Sequence, residues 1–532
     1  MKDFMTKIWQ MNIKVLILVI FSAIVASSCT NLDEEVFSEI TEDSFIPSNE
    51  DIVALMASGY TPLRYIMGWQ GLFDLQEESG DTFVTPTRPN GWDDGGTYKR
   101  MHFHTWDNVQ WQPSNTWITC FSGINNANRV ISQIESGSLP VEGEQAAAIV
   151  AEMRALKALY YSILIDTHGN VPILTDFSDE IPVQSSRQEV YDFIVSELTE
   201  VIPLLPIEAD QTTYGRLNKW GALTLLARVY LNAEVYTGTA QWEKVIETTD
   251  QIIASGNYTL DPNYRDIFDA DNQASPEIIF AVPYDDLYGG EWSQHMKQLL
   301  PATRDVLNMQ AQPWGGSSAN PQFIDTYEEG DQRLADTWFM GEQRDADTGE
   351  VLYTLVNHMP SIFNSDFDEG LRFRKYEIVA GTNASMPNDF PYFRYTDVLM
   401  MNAEAHLRTG NLQKAADIVT EVRMRSFEDP EQAEVTGEEL AGDSLFQYGT
   451  LAEDGSIEDP GDQSPVNFGR FLDELGWEFA GEARRRTDMI RFGVFQTKNW
   501  FNHVPQGDYT ILFPIGISEL NTNPNLEQNP GY

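Results

Sequence analysis

Apolar residues recur at spacings of three and four along several stretches of the chain, which is the period of an amphipathic helix. The clearest stretch is EMRALKALYYSILIDTHG at residues 152–169, where the pattern stops at Gly169 and Pro172 follows. We expect its apolar face to be buried; that face consists of Met153, Leu156, Leu159, Tyr160, Ile163 and Leu164.

Two further stretches, residues 218–256 and 395–425, each carry the helical pattern twice, with a turn at Gly238 in the first and at Gly410 in the second. Small residues on the first helix and glycine in the turn resemble the helix pair of a tetratricopeptide repeat. The two pairs lie far apart in sequence, so they do not predict a continuous solenoid. They predict a mainly helical scaffold whose long loops carry a separate ligand surface.

The domain organisation follows from length and from the absence of linkers. A mature chain of about 500 residues would ordinarily suggest more than one domain, but no Ser/Gly-rich or Pro-rich linker divides this sequence. Residues 426–465, rich in acids, glycine and proline, are typical of a long surface loop or insertion. We therefore predict one body over residues 29–532.

The first residues have the pattern of a signal peptide. Three lysines precede an apolar run at residues 15–21 that continues to Val25, about half of what a membrane-spanning helix needs. The small residues 26–28 before Cys29 resemble a bacterial lipobox, in which the thiol is acylated and becomes the new N-terminus. The sequence predicts a signal peptide over 1–28 and lipidation of Cys29, with cleavage elsewhere as the alternative.

The charge of the chain excludes some partners. With 34 basic and 81 acidic residues the formal net charge is −47. Such a chain repels phosphate backbones and anionic lipid surfaces, since both are bound through Lys and Arg, and we expect no nucleic-acid partner. Cys120, the other cysteine, lies in an apolar helical pattern and is predicted to be a buried, inert thiol.

The sequence carries none of the usual catalytic signatures. It contains no G-x-S-x-G elbow, H-E-x-x-H helix, G-x-G-x-x-G turn or phosphate loop, and the many acids leave any carboxylate pair unassignable. His102 and His104 would share a strand face, but no third ligand is nearby, so no metal is predicted. Residues 478–491 could be a catalytic cluster, but their spacing favours helix-supporting ion pairs such as Asp488 with Arg484 and Arg485. We expect no enzymatic activity and no cofactor.

Aromatic residues in polar loops are the candidate binding residues. Trp or Tyr can stack on the apolar face of a sugar ring, while Asp, Asn and Arg bond its hydroxyls. Residues 80–100 read as a loop, and the glycine-flanked stretches YGGEWSQ and QPWGGSS lie in mid-chain. The alternative is that each tryptophan fills a local apolar gap under its loop. The predicted ligand-binding residues are Asp81, Arg88, Trp92, Tyr98, Trp292 and Trp314.

Five segments occurring in this order resemble the hallmark segments of the SusD/RagB family of Bacteroidetes surface lipoproteins. The last one holds a PIP-like turn at residues 514–516 and is the most distinctive. The resemblance implies a SusD-like fold with an N-terminal part over 29–270 and a C-terminal SusD/RagB part over 271–532. The segments are Arg154–Asp176, Gly215–Leu231, Arg394–Gly410, Gly476–Gly493 and Leu512–Tyr532.

The resemblance also implies a role and a place in the cell. Family members are lipid-anchored at the outer face of the outer membrane, where they act as lids on a SusC-like TonB-dependent transporter and capture oligosaccharides for import. The acids at 33–35 look like the family's surface-export signal. In relatives an early loop and a mid-chain loop form the ligand surface, which matches the placement of residues 80–100 and of the mid-chain stretches that hold Trp292 and Trp314. A peptide-capturing lid and a surface glycoside hydrolase are the alternatives.

Overall fold

The computed structural model describes residues 49–89, 92–139, 141–178 and 180–532. The predicted signal peptide, Cys29 and the acids after it lie outside these residues. Residues 49–532 form one compact unit. Within the described part of the chain, no helix is both long and apolar enough to cross a membrane.

The predicted mainly helical architecture is confirmed. The strands are short, and the helices hold far more residues than the strands do. The helices are α1 Asn49–Tyr60, α2 Leu72–Glu77, α3 Thr97–Phe103, α4 Trp111–Glu135, α5 Gly143–Thr167, α6 Arg187–Val201, α7 Lys219–Leu231, α8 Ala233–Thr237, α9 Trp242–Ser255, α10 Gln294–Gln298, α11 Thr303–Val306, α12 Pro321–Ile324, α13 Arg333–Thr337, α14 Tyr395–Arg408, α15 Leu412–Arg423, α16 Pro430–Ala433, α17 Gly437–Leu440, α18 Gly469–Phe479, α19 Arg485–Arg491 and α20 Ile517–Thr522.

The predicted helix at 152–169 is the second half of α5, and all six residues of its predicted apolar face are buried. It ends where the sequence indicated, because Gly169 adopts a left-handed φ of 73° and its N–H bonds the carbonyl of Leu164 at 3.0 Å. This is a glycine C-cap.

Both predicted helix pairs are present, and they adjoin in space. The first pair is α7 and α9, joined through the short α8 and a left-handed Gly238; the second is α14 and α15, with a left-handed Gly410 between them. Helix α9 packs against both α7 and α14. The four helices therefore form one stack, although about 140 residues of other structure separate the pairs in sequence.

The strands form small sheets that join distant parts of the chain. The sheet that bears on the site pairs β1 antiparallel with β3 in the register Phe83↔Ala319 and Val84↔Ser318, which holds the early loop against the mid-chain loop. The strands are β1 Phe83–Val84, β2 Ile278–Val282, β3 Ser318–Ala319, β4 Trp338–Phe339, β5 Gly341–Arg344, β6 Val351–Leu355, β7 Arg372–Phe373, β8 Phe390–Arg394, β9 Gly449–Leu451, β10 Ile457–Asp459 and β11 Trp500–Phe501.

The predicted long surface loop or insertion at 426–465 has regular structure of its own. This segment contains the helical turns α16 and α17 and the strands β9 and β10. Helix α17 begins with a capping box, in which Thr436 Oγ1 accepts from the Glu439 N–H at 3.2 Å and Glu439 accepts from the Thr436 N–H at 2.7 Å. Its T-x-x-E sequence is the signal that marked a helix start.

The acidic and basic residues at 478–491 have a structural role, but mostly through tertiary ion pairs. Asp488 of α19 does pair with Arg484, the residue just before this helix, at 3.0 Å. Arg485 instead pairs with Asp81 at 2.7 Å, across most of the sequence. The prediction of local helix support was therefore right for Arg484 and wrong for Arg485, whose partner sequence spacing could not indicate.

A buried ion-pair network lies around α18. Glu478 Oε1 lies 2.8 Å from Arg394 and 2.7 Å from Arg425, and its Oε2 lies 3.2 Å from Arg333. Among the described residues the connected network holds equal numbers of cations and anions, so its formal charge is zero. Its members are Arg333, Lys375, Arg394, Arg423, Arg425 and Arg470 with Glu277, Glu328, Asp331, Glu474, Glu478 and Glu482.

The predicted burial of Cys120 is confirmed, and the end of the chain is held in place as well. The C-terminal tail docks on the body, since Asn529 Nδ2 donates to the carbonyls of His168 and Phe513, both at 2.8 Å, and Tyr532 donates to the carbonyl of Leu512 at 2.7 Å. Cys120 is buried and free, and burial raises the pKa of its thiol.

Candidate functional site

Four tryptophans from three parts of the chain meet in one cluster, here called the tryptophan surface: Trp69, Trp92, Trp111 and Trp314. The rings of Trp92 and Trp314 are nearly parallel, at 18° with centroids 6.2 Å apart. Trp69 meets Trp314 edge to face at 5.6 Å and Trp111 at 6.5 Å. Trp111 is 41% exposed, and the other three are half-buried. A large, partly accessible aromatic area of this kind is suited to stacking on apolar ring faces.

The Trp92 loop is bent by three successive left-handed residues. The Arg88 N–H donates to the carbonyl of Trp92 at 3.1 Å, and Asp94, Gly95 and Gly96 then have φ values of 50°, 63° and 74°. Glycine adopts this conformation freely, whereas an aspartate there is strained and marks a candidate functional position. Burial, followed by the nearby Asp74, raises the pKa of Asp94.

The mid-chain loop brings Trp314 beside Trp92. The Trp314 N–H donates to the carbonyl of Met296 at 2.6 Å, and the Gly316 N–H donates to that of Lys297 at 2.7 Å. A Cβ at Gly316 would lie 2.7 Å from the Trp92 ring. Glycine is therefore required at 316, because any side chain would displace the ring.

Trp69 was missed by the sequence reasoning. It lies in the turn after the 3₁₀ helix Thr61–Ile66, where its N–H donates to Ser293 Oγ at 3.3 Å. A Cβ at Gly71 would lie 2.2 Å from the Tyr65 carbonyl oxygen, so this turn also depends on glycine. The flanking glycines of GWQG are the same signal that singled out Trp314 and could have indicated Trp69.

A buried carboxylate, Asp74, connects the three segments of the tryptophan surface. Its Oδ2 accepts from the Gln70 N–H at 2.7 Å and from the Tyr98 hydroxyl at 2.9 Å, and its Oδ1 accepts from Lys297 Nζ at 2.5 Å. Gln70 adjoins Trp69, Tyr98 stacks on Trp92 with centroids 6.5 Å apart, and Lys297 holds the Trp314 loop. One buried polar network therefore sets the relative positions of the tryptophans.

Four of the predicted ligand-binding residues are buried and offer no face to a ligand. Tyr98 and Arg88 are each 2% exposed, Trp292 is 1% exposed and Asp81 is 0% exposed. The assignment of Tyr98 to a loop was wrong, because the helical turn α3 begins at Thr97 and directs Tyr98 inward. These four residues lie below the tryptophan surface or away from it. Of the predicted set, only Trp92 and Trp314 lie on the tryptophan surface.

Each buried residue has a packing or bonding partner that explains its position. Arg88 Nε donates to the carbonyl of Gly316 at 3.3 Å, which ties the Trp92 loop to the Trp314 loop, and burial lowers the pKa of Arg88 to about 9. Trp292 packs edge to face on Tyr376 with centroids 4.6 Å apart. For Trp292, the alternative of a gap-filling ring holds.

The two histidines considered as metal ligands do not share a strand. His102 lies in α3, and His104 follows it with a left-handed φ of 53°. Both are buried beside His503, whose ring centroid lies 4.2 Å from that of His104. Over the residues that the structure describes, no group of three or more His, Cys, Asp or Glu side chains could hold a metal ion.

Comparisons with known proteins agree with this architecture. The model of the "SusD family" matches residues 276–532, and a second one, described as "Starch-binding associating with outer membrane", matches residues 32–231. Starch-binding protein SusD of Bacteroides thetaiotaomicron is 27% identical over 485 residues, which cover 80% of each chain.

Two solved structures show the same fold at low sequence identity. NanU of Bacteroides fragilis has a TM-score of 0.71 at 20% identity, covering 94% of this chain and 99% of its own. Surface glycan-binding protein A of Bacteroides thetaiotaomicron in complex with laminarihexaose has a TM-score of 0.68 at 19% identity, covering 91% and 100%. The chain belongs to the SusD/RagB family and has the SusD-like fold.

Proposed function

We propose that this protein captures oligosaccharides at the tryptophan surface and does not cleave them. The observation that carries the proposal is the convergence of four tryptophans from distant segments on one partly exposed area, held by the Asp74 network. Stacking on such rings recognises neutral, hydroxyl-rich ligands. Relatives whose names state glycan binding, to starch in one case and laminarihexaose in another, support this ligand class.

In the proposed role the protein is lipid-anchored through Cys29 at the outer membrane and delivers glycan to a SusC-like TonB-dependent transporter. Support comes from the lipobox-like residues before Cys29, from family membership and from the family description that mentions the outer membrane. Two or three acyl chains would make that anchorage durable.

The anchor and the partner can be tested together. Purified from outer membranes in mild detergent, the wild-type chain should carry a labelled fatty acid and co-isolate a much larger transporter in comparable amount. The Cys29→Ser variant should take up no label, because the acylated thiol is gone. Label on the variant would refute the lipidation site, and recovery of the wild-type chain alone would count against delivery.

The capture site is tested by removing one ring of the tryptophan surface. Trp92→Ala should weaken binding of the preferred oligosaccharide by about 2 kcal/mol, roughly thirtyfold, as a stacking hot spot does. Isothermal titration against a panel that includes laminarihexaose and starch-derived oligosaccharides measures the effect. Because Trp92 is only half-buried, the melting temperature should change by no more than about 3 °C.

Phe177→Ala is the matched control, since Phe177 is 56% exposed and belongs to none of the contacts around the tryptophan surface. It should leave affinity unchanged. Wild-type affinity in the Trp92→Ala variant would refute the site, and shortened products after incubation of the wild type with the panel would instead favour the hydrolase alternative.

A further inference from the structure

A groove of about 570 Å³ adjoins the tryptophan surface and shares Trp69 with it. One wall is formed by the 3₁₀ helix Thr61–Ile66 and the turn after it, and the other by residues 115–126 of α4. We call it the Trp69 groove. None of the predicted site residues lies in it.

The α4 wall is a stripe of residues that begins at the tryptophan surface. Trp111, Asn115, Ile118, Ser122 and Asn126 follow one another at spacings of three or four, so they share one face of the helix. At 1.5 Å per residue the stripe is about 22 Å long. This length accommodates several sugar rings in a row, starting from Trp111.

The groove combines exposed apolar surface with fixed hydrogen-bonding groups. Tyr65 is 54% exposed and Ile118 is 55% exposed, on opposite walls. Asn115 Nδ2 donates to the Gln70 carbonyl at 3.3 Å and Asn126 Nδ2 to the Ser58 carbonyl at 2.9 Å. The bond to Gln70 joins the two walls, and the bond to Ser58 ties α4 to α1. Both hold the side chains in place, which leaves their amide oxygens as acceptors for hydroxyl groups.

Among the residues that the structure describes, the lining of the Trp69 groove carries no charged side chain. Its polar members are Thr61, Gln70, Asn115, Thr119, Ser122 and Asn126. In contrast, Arg64, Arg216 and Asp285 line a second cavity, and Asp325 and Asp454 line a third. A carboxylated or sulfated sugar would lose hydration in the groove without gaining a cationic partner, whereas neutral hydroxyls would find acceptors and donors.

The geometry points to the Trp69 groove as a second part of the binding site, which takes the continuation of a neutral sugar chain stacked on the tryptophan surface. This inference rests on the proposed glycan capture. It adds that the ligand is an uncharged oligosaccharide long enough to reach from Trp92 past Trp111 to Asn126. Selection for length then comes from the groove, and the uncharged lining of the groove adds to the preference for neutral sugars.

The test compares chain length with groove variants. Isothermal titration of the wild type uses two neutral series, laminari- and malto-oligosaccharides, each of two to six sugars. In the series that the protein binds more tightly, the affinity should rise at least tenfold from the shortest binding member to the longest. In the Tyr65→Ala and Asn126→Ala variants, this increase of affinity with chain length should shrink to threefold or less. Both variants should bind the shortest of these oligosaccharides as tightly as the wild type does. A galacturonate oligosaccharide of equal length should bind at least tenfold more weakly than the neutral one.

The outcomes separate this inference from the proposed function. If no glycan binds the wild type, glycan capture itself fails. If glycans bind and Trp92→Ala weakens them, but length and the two groove variants have no effect, only the Trp69 groove is refuted. Equal or tighter binding of the galacturonate chain would refute selection for neutral sugars. Circular dichroism spectra matching the wild type would show that both groove variants are folded.

Discussion

Replacing Glu478 with glutamine should lower the free energy of unfolding by about 3–5 kcal/mol, the usual consequence of breaking a buried ion pair from one side. Glu478 is fully buried and lies within 3.2 Å of three guanidinium groups, those of Arg333, Arg394 and Arg425. The amide of glutamine would direct an N–H donor at one of these cations. The variant network would also keep one buried positive charge without a counterion.

The protonation state of Glu478 fixes the conditions of the measurement. Burial alone would raise the pKa of Glu478, but Arg425, Arg394 and Arg333 lower it well below its ordinary range. A carboxylate with a depressed pKa contributes stability that is present above its unfolded pKa, about 4.3, and is lost as pH falls towards the folded value. At pH 7 the full effect of Glu478→Gln should be visible.

Urea unfolding followed by tryptophan fluorescence gives the free energy of unfolding for each variant. The matched control is Glu342→Gln, which removes an ion pair with Arg344 on the exposed hairpin of β5 and β6 and should cause no measurable change. A loss below about 1 kcal/mol for Glu478→Gln would show that the network does not depend on this carboxylate.

Sequence reasoning predicted the parts of the fold that local pattern determines. The apolar stripe of α5 and the glycine that ends it are local features, and both were found at the predicted residues. The packing of α9 against α14 was not predicted, because it depends on where the long segment between the two helix pairs is accommodated. The partners of Glu478 were inaccessible for the same reason, since they come from three distant segments.

The candidate site was predicted in part, and the errors have one physical cause. Glycine beside a tryptophan indicates a sharp bend, but not which side of the bend packs against the body. Trp314 and Trp292 carry the same signal, yet Trp314 lies on the tryptophan surface and Trp292 fills the core. Trp69 carries it as well and was overlooked. Whether such a tryptophan is exposed or buried depends on the packing of the folded chain, which the local sequence does not determine.

Buried histidines should make the protein sensitive to mild acid. Burial lowers the pKa of His102, His104 and His168 to about 3 and that of His295 to about 4. It also lowers the pKa of His503 well below its usual value, and the neighbouring His104 and His102 lower it further. No carboxylate contributes to the shifts of these five groups. Backbone carbonyls raise the pKa values of His104, His168, His295 and His503, but by less than burial lowers them.

The sign of the effect follows from proton uptake. An unfolded histidine, with a pKa of about 6.5, binds a proton at pH 5, whereas the buried one does not, so acid favours the unfolded state. Each histidine should therefore cost about 2 kcal/mol of unfolding free energy between pH 7 and pH 5, at 1.36 kcal/mol per pKa unit. Glu77 and Asp473 act in the opposite direction, because burial raises their pKa values to about 7 and acid favours their folded, protonated forms. Burial also raises the pKa values of other carboxyl groups, among them Asp94, Asp269, Asp325, Asp336 and Asp389, so acid offsets part of the loss that the five histidines cause.

A single variant isolates the histidine contribution from the charge of the whole chain. His503→Asn removes a titrating ring that is stacked on Trp500 at 3.8 Å, so it should destabilise the protein at pH 7. The difference in unfolding free energy between the variant and the wild type should then be about 2 kcal/mol smaller at pH 5 than at pH 7. The reason is that only the wild type has this ring, which stays neutral when folded and binds a proton when unfolded. Phe501→Leu, at a buried neighbour that does not titrate, should cost the same at both pH values. Parallel pH dependence of His503→Asn and the wild type in urea unfolding would mean that His503 is protonated in the folded protein, and would refute the prediction.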